Sequence, residues 1–88
     1  MIVKISKSFE KDVAKLKNPS LNEKLITTIR KIQNSENLFQ IENLKKLKGT
    51  KDYYRIKVGD FRIGIIILDK EVQLIRLLHR KDVYKYFP

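Results

Sequence analysis

From Tyr54 to Ile65 the chain alternates apolar and polar positions around one break. Tyr54, Ile56 and Val58 are separated by Arg55 and Lys57, and Phe61, Ile63 and Ile65 by Arg62 and Gly64. A period of two is the mark of a half-buried strand, and the Gly59-Asp60 pair between the two runs predicts a tight hairpin turn. In that register Val58 faces Phe61, Lys57 faces Arg62 and Ile56 faces Ile63. The apolar set then shares one face and belongs to a core. Arg55, Lys57, Arg62 and Gly64 share the other, with Tyr53. Like charges directly opposed weaken a sheet, so Lys57 across from Arg62 works against folding. Cations clustered beside a glycine, where bulk is missing, point to a place that receives an anion.

The rest of the chain yields to the same reading. Residues 2–6 predict a short strand. Phe9, Val13 and Leu16 recur at helical spacing between about 8 and 17, and Asn18-Pro19 ends that helix. Ser20 with Glu23 matches a capping box for a second helix, whose stripe is Leu21, Leu25, Ile29 and Ile32 and which ends near Asn34. Residues 35–44 fit either a helical turn or a packed loop through Leu38, Phe39, Ile41 and Leu44. Lys46-Leu47-Lys48-Gly49 reads as a short strand or the approach to one. Strands are expected at about 52–58, 61–69 and 72–79, followed by a tail with Tyr84, Tyr86 and Phe87, the last two read as core. The order β-α-α-β-β-β, with a possible extra short strand, predicts an α+β fold: a mostly antiparallel sheet packed against an N-terminal helical hairpin. One domain over residues 1–88 is expected.

Charge changes the picture. Twenty Lys and Arg against ten Asp and Glu leave a net charge of +10, and residues 45–62 alone hold seven cations against two aspartates. Such a balance favours RNA, DNA, an anionic membrane surface or an acidic protein. With no cysteine and one histidine, disulfides, thiolate sites and a metal-ligand set are excluded, and no cofactor is expected. The longest apolar run, Ile63 to Leu68, is far short of the ~20 residues of a membrane span. The early charge at Lys4 speaks against a signal peptide, and a cytoplasmic location is expected.

The remaining inventory of Lys, Arg, His and Tyr is still able to cleave RNA, because RNA brings its own nucleophile, the 2′-hydroxyl. The protein has to align it, take its proton and stabilise the charge on phosphorus. Lys57 is the base candidate, since Arg55 and Arg62 disfavour a further positive charge between them. Arg55 and Arg62 suit phosphate oxygens through their planar forks. Tyr84 either stacks on a base or covers the core. His79-Arg80 closes the last strand, and the face each residue takes depends on the turn at 69–71, because a slip of one residue reverses the faces.

Leu47-Lys48-Gly49, the stretch Tyr54-Arg55-Ile56-Lys57-Val58-Gly59-Asp60-Phe61-Arg62, and His79-Arg80-Lys81-Asp82-Val83-Tyr84 together resemble the RelE/ParE superfamily of toxin–antitoxin modules, nearly end to end. The RelE branch implies a ribosome-dependent endoribonuclease that cuts messenger RNA in the A site and stops translation. On that resemblance Lys57 is the proton acceptor, Arg55 and Arg62 hold the scissile phosphate, Arg80 stabilises charge at the leaving side, Tyr84 stacks on a base, and His79 is a second candidate proton donor. Lys45, Lys46, Lys48, Lys51 and Lys81 are assigned to RNA binding. Leu78 departs from the pattern, standing where many relatives have glycine. The implied partners are a cognate antitoxin, in a hetero-oligomer, and the ribosome with its message. The ParE branch shares the fold, poisons DNA gyrase and lacks this set of residues. A nucleic-acid-binding module without catalysis is the third reading.

Overall fold

The computed structural model describes all 88 residues. Its elements are β1 (Ile2–Ile5), α1 (Lys7–Leu16), α2 (Pro19–Asn34), a 3-10 turn at Leu38–Gln40, β2 (Leu44–Lys46), β3 (Tyr53–Val58), β4 (Phe61–Leu68), β5 (Glu71–His79) and α3 (Val83–Tyr86). The strands form one five-stranded sheet in the order β1-β5-β4-β3-β2, parallel between β1 and β5 and antiparallel elsewhere. The expected α+β architecture holds, and the possible extra strand is β2.

Helix boundaries follow from caps. Ser6 accepts the Phe9 N–H at 3.1 Å and starts α1. Lys17 takes the left-handed conformation (φ 43°) that stops it. Asn18 then accepts the Leu21 N–H at 3.1 Å, with Pro19 in the first turn of α2. This corrects the Ser20–Glu23 capping box: proline is preorganised for the first helical position, so the helix begins before Ser20. Leu21, Leu25 and Ile32 are buried as their stripe predicts. They join Phe9 and the inward residues of β3, β4 and β5 in a core of thirteen buried side chains between the helices and one sheet face. The segment after α2 splits: Ile41 is buried, Leu38 and Leu44 are partly buried, and Phe39 is 90% exposed.

The hairpin register is as the alternation predicts, with Val58 opposite Phe61, Lys57 opposite Arg62 and Ile56 opposite Ile63. Between β4 and β5 the ladder slips. Ile65 pairs with Leu74 but Gly64 pairs with Arg76, so Ile75 is an extra residue in a β-bulge. Past the bulge the faces of β5 are exchanged, which buries Leu77 in the core.

Strand β1 ends at Ile5, and α1 covers the edge of β5 beyond it. Ser6 and Ser8 donate hydroxyls to Ile75 O at 3.1 and 2.7 Å. Asp12 accepts the Leu77 N–H at 2.9 Å and pairs with Arg76, Nε to Oδ2 at 2.8 Å. The carboxylate raises the Arg76 pKa above the ordinary guanidinium value, and partial burial opposes that rise. Asp12→Ala strands the Leu77 amide and a half-buried guanidinium together. We expect a loss of about 2–3 kcal/mol in urea unfolding, and a loss below half a kcal/mol would show that water replaces the carboxylate.

At the β1–β5 seam Glu71 accepts Gln73 Nε2 at 2.6 Å and Lys4 Nζ at 3.1 Å. The Gln73 bond, then Lys4, hold its carboxyl below the ordinary value. A depressed folded-state pKa contributes stability above the unfolded value, and that contribution is lost as pH falls through the folded one. Acidification from pH 6 to 3 should therefore destabilise the native chain slightly more than Glu71→Gln, as read by denaturant midpoints. Identical pH profiles would contradict this.

Candidate nucleic-acid interface

The sheet face turned away from α1 and α2 carries the cations. Two rows cross it: Lys45, Arg55 and Gly64 lie side by side, as do Lys57, Arg62 and Leu78. The side chains differ in how they are held. Arg62 folds back on the hairpin, its Nη1 donating to Gly59 O and Phe61 O at 2.9 Å each. That anchors the guanidinium at the turn, and the Lys57 side chain across the ladder is exposed and forms no ion pair. Arg55 donates from Nε to Tyr84 Oη at 3.2 Å and from Nη1 to Asn43 O at 3.4 Å. Asn43 O also accepts the Lys57 N–H at 3.3 Å, and Asn43 adopts φ 62°, a left-handed conformation that asparagine tolerates. Asn43 was not anticipated; its only sequence signal is an asparagine just before a short strand.

Beside Tyr84 lies a groove of about 640 Å³ lined by Lys45, Lys46, Leu47, Lys48, Gly49, Thr50 and Tyr84. Thr50 Oγ1 lies 2.7 Å from Leu47 O and 3.2 Å from Tyr53 O, which closes the loop carrying Lys48. Of the five flanking lysines, Lys45, Lys46 and Lys48 line this groove, whereas Lys51 and Lys81 are exposed outside it. Arg80 is exposed, and its backbone N–H bonds Asp60 O at 2.8 Å, beside the turn that holds Arg62.

Three expectations change here. His79 pairs with Phe61, their rings meeting edge to face at 5.5 Å, and Phe61 packs on the core. His79 therefore lies on the helix side of the sheet, away from Lys57 and Arg62. The β5 bulge is the reason: with a regular ladder His79 would have alternated onto the cationic face. The space over Gly64 is not an anion site, because the Phe87 ring occupies it; a Cβ there would come within 2.6 Å of that ring. Tyr86 is 55% exposed rather than core, while Phe87 is 4% exposed in a second cluster with Leu47 and Val83. Tyr53, Ile75 and Leu78 pack against that cluster, so Leu78 serves the tail.

The family model of the ParE toxin of type II toxin–antitoxin systems, parDE, matches residues 3–84. Toxin RelE3 of Methanocaldococcus jannaschii is 38% identical over 89 aligned positions that cover all of both chains. The crystal structure of a RelB–RelE antitoxin–toxin complex from Methanococcus jannaschii contains a chain similar to this one with a TM-score of 0.80 and 38% identity, over 97% of this chain and 99% of that one. An archaeal RelE–RelB complex from Pyrococcus horikoshii shares the fold, with a TM-score of 0.71 at 23% identity over 90% of this chain and 93% of that one. This chain belongs to the RelE/ParE superfamily and is a RelE-family toxin of a toxin–antitoxin system. No helix is long and apolar enough to cross a membrane.

Proposed function

We propose that this toxin is a metal-independent endoribonuclease that cleaves messenger RNA in the ribosomal A site. The observation that supports it most is the Arg55–Tyr84 bond at 3.2 Å, which joins a base-stacking ring to the face holding Lys57 and Arg62 across 29 residues of sequence. Lys57 accepts the 2′-hydroxyl proton as that oxygen attacks the adjacent phosphorus. The P–O5′ bond breaks, leaving a 2′,3′-cyclic phosphate, and the departing oxygen takes a proton from water. Arg55 and Arg62 hold the phosphate oxygens through charge-assisted bonds. Arg80 stabilises the developing charge without giving up a proton, which arginine does not do near neutral pH. Lys45, Lys46 and Lys48 follow the neighbouring backbone. His79 has no role in this scheme.

The relatives solved as complexes pair RelE with RelB. We extend that to this chain: a cognate antitoxin covers its basic groove with an acidic segment and holds the toxin inactive in a hetero-oligomer, in the cytoplasm.

Primer extension on ribosome-bound message tests the activity. New ends within the A-site codon, bearing cyclic phosphate and strongly reduced in Arg62→Ala, are the expected result. Intact message with inhibited DNA supercoiling would replace this reading by gyrase poisoning, and salt-sensitive RNA binding without cut product would reduce it to a binding module.

A further inference from the structure

We infer that Gly64 and Phe87 form a latch that places Tyr84 in the site, which makes both of them positioning residues for the proposed cleavage. The inference deepens the ribonuclease reading and rests on it for its functional arm.

Tyr84 belongs to α3, a single turn of four residues. One isolated helical turn is unstable in water, so other contacts must set where Tyr84 stands. Two residues supply them. Val83 and Phe87, four apart and therefore on the same side of the turn, are 0% and 4% exposed. Tyr84 is 64% exposed and reaches Arg55. The deeper anchor is Phe87. Its ring stacks on Tyr53 at 5.5 Å with 26° between planes, and it rests directly on β4 at Gly64. An alanine Cβ at that position would lie 2.6, 2.7 and 2.8 Å from three ring carbons. Gly64 has no left-handed φ, so the strand backbone accepts alanine; what alanine removes is the seat of the ring. This is why a glycine stands in the middle of a central strand, where glycine otherwise weakens the sheet.

Three variants test the latch: Gly64→Ala, Tyr84→Ala, and Phe87→Ala, which removes the ring carbons that rest on Gly64. Gly64→Ala is expected to keep a cooperative melt and the far-ultraviolet spectrum of the sheet. Magnetisation transfer between the Tyr84 ring and the Arg55 side chain, expected in the unaltered protein from their 3.2 Å bond, should disappear. Cleavage of ribosome-bound message should fall on the order of 10²-fold, the scale of a group misplaced by about 1 Å. Adding Gly64→Ala to Tyr84→Ala should cost nothing further, because residues acting through one another are not additive. Phe87→Ala should lose the same ring contact and activity, and adding Gly64→Ala to it should cost nothing further.

Persistence of the Tyr84–Arg55 contact in Gly64→Ala would overturn the latch, and so would losses that multiply with Tyr84→Ala. If Gly64→Ala fails to melt cooperatively, Phe87→Ala decides: loss of the Tyr84–Arg55 contact in a folded protein supports the latch, and its persistence refutes it. Failure of the unaltered protein to cut any message would end the ribonuclease reading separately, and the ring contacts alone would then decide the latch.

Discussion

Lys57→Ala should slow cleavage of ribosome-bound message by about 10²–10⁴-fold, the loss expected when a general base is removed, with no loss of thermal stability. Both halves follow from the same geometry. Lys57 stands directly opposite Arg62 in the ladder, and its side chain is exposed, with no carboxylate paired to it. Removing one of two facing cations relieves repulsion of about 0.2–1 kcal/mol, and the backbone bond from Lys57 N–H to Asn43 O is untouched. Arg62→Ala should be comparably inactive but not firmer. The sequence alone treats the two cations as equivalent, yet Arg62 gives two hydrogen bonds to the hairpin turn and its truncation forfeits them. Single-turnover cleavage and thermal melts on both variants provide the check. A Lys57→Ala protein that cuts at the native rate removes the proposed base, and one that melts several degrees lower removes the electrostatic argument.

The largest stability effect is expected from Ile63→Ala, about 2–5 kcal/mol. Ile63 is 0% exposed in β4, flanked by Ile56 on β3 and Leu77 on β5. Deleting its methyl groups removes buried apolar area and leaves a cavity that a close-packed sheet cannot readily close. Native domains are stable by only about 5–15 kcal/mol, and this one buries only 18 of its 88 residues, so a measurable unfolded fraction at 37 °C is expected. Urea titrations followed by circular dichroism should show the midpoint drop with an unchanged slope. Phe39→Ala, at a site 90% exposed, is the contrast and should leave the midpoint in place. A loss below about 1 kcal/mol for Ile63→Ala would mean that the core is not packed as described.

How far the sequence could be read depends on the range of the forces involved. The β3–β4 hairpin was legible because alternation and a two-residue turn are local; each strand limits the other's register before anything else packs. The α2 start was misread by two residues because Asn18, Pro19 and Ser20 all carry start signals, and a choice among adjacent caps rests on small differences. The side on which His79 lies was illegible. It depends on one bulged residue, Ile75, and the bulge is decided by competition between burying Leu77 and burying Arg76 against a core that several elements build together. The tail was half legible: Phe87 as core was right, but Tyr86 beside it points outward, because Val83 and Phe87, four residues apart, take the buried side of the turn.

The amino-acid order alone determined the strand alternation, the opposed cations at Lys57 and Arg62, the helical stripes and the excess of positive charge, since each is a property of neighbours along the chain. Only the tertiary structure decided that Tyr84 meets Arg55, that Phe87 rather than an anion fills the hollow over Gly64, and that His79 turns to the helix side. Those outcomes join residues many positions apart, and their free energies exist only once the sheet has closed.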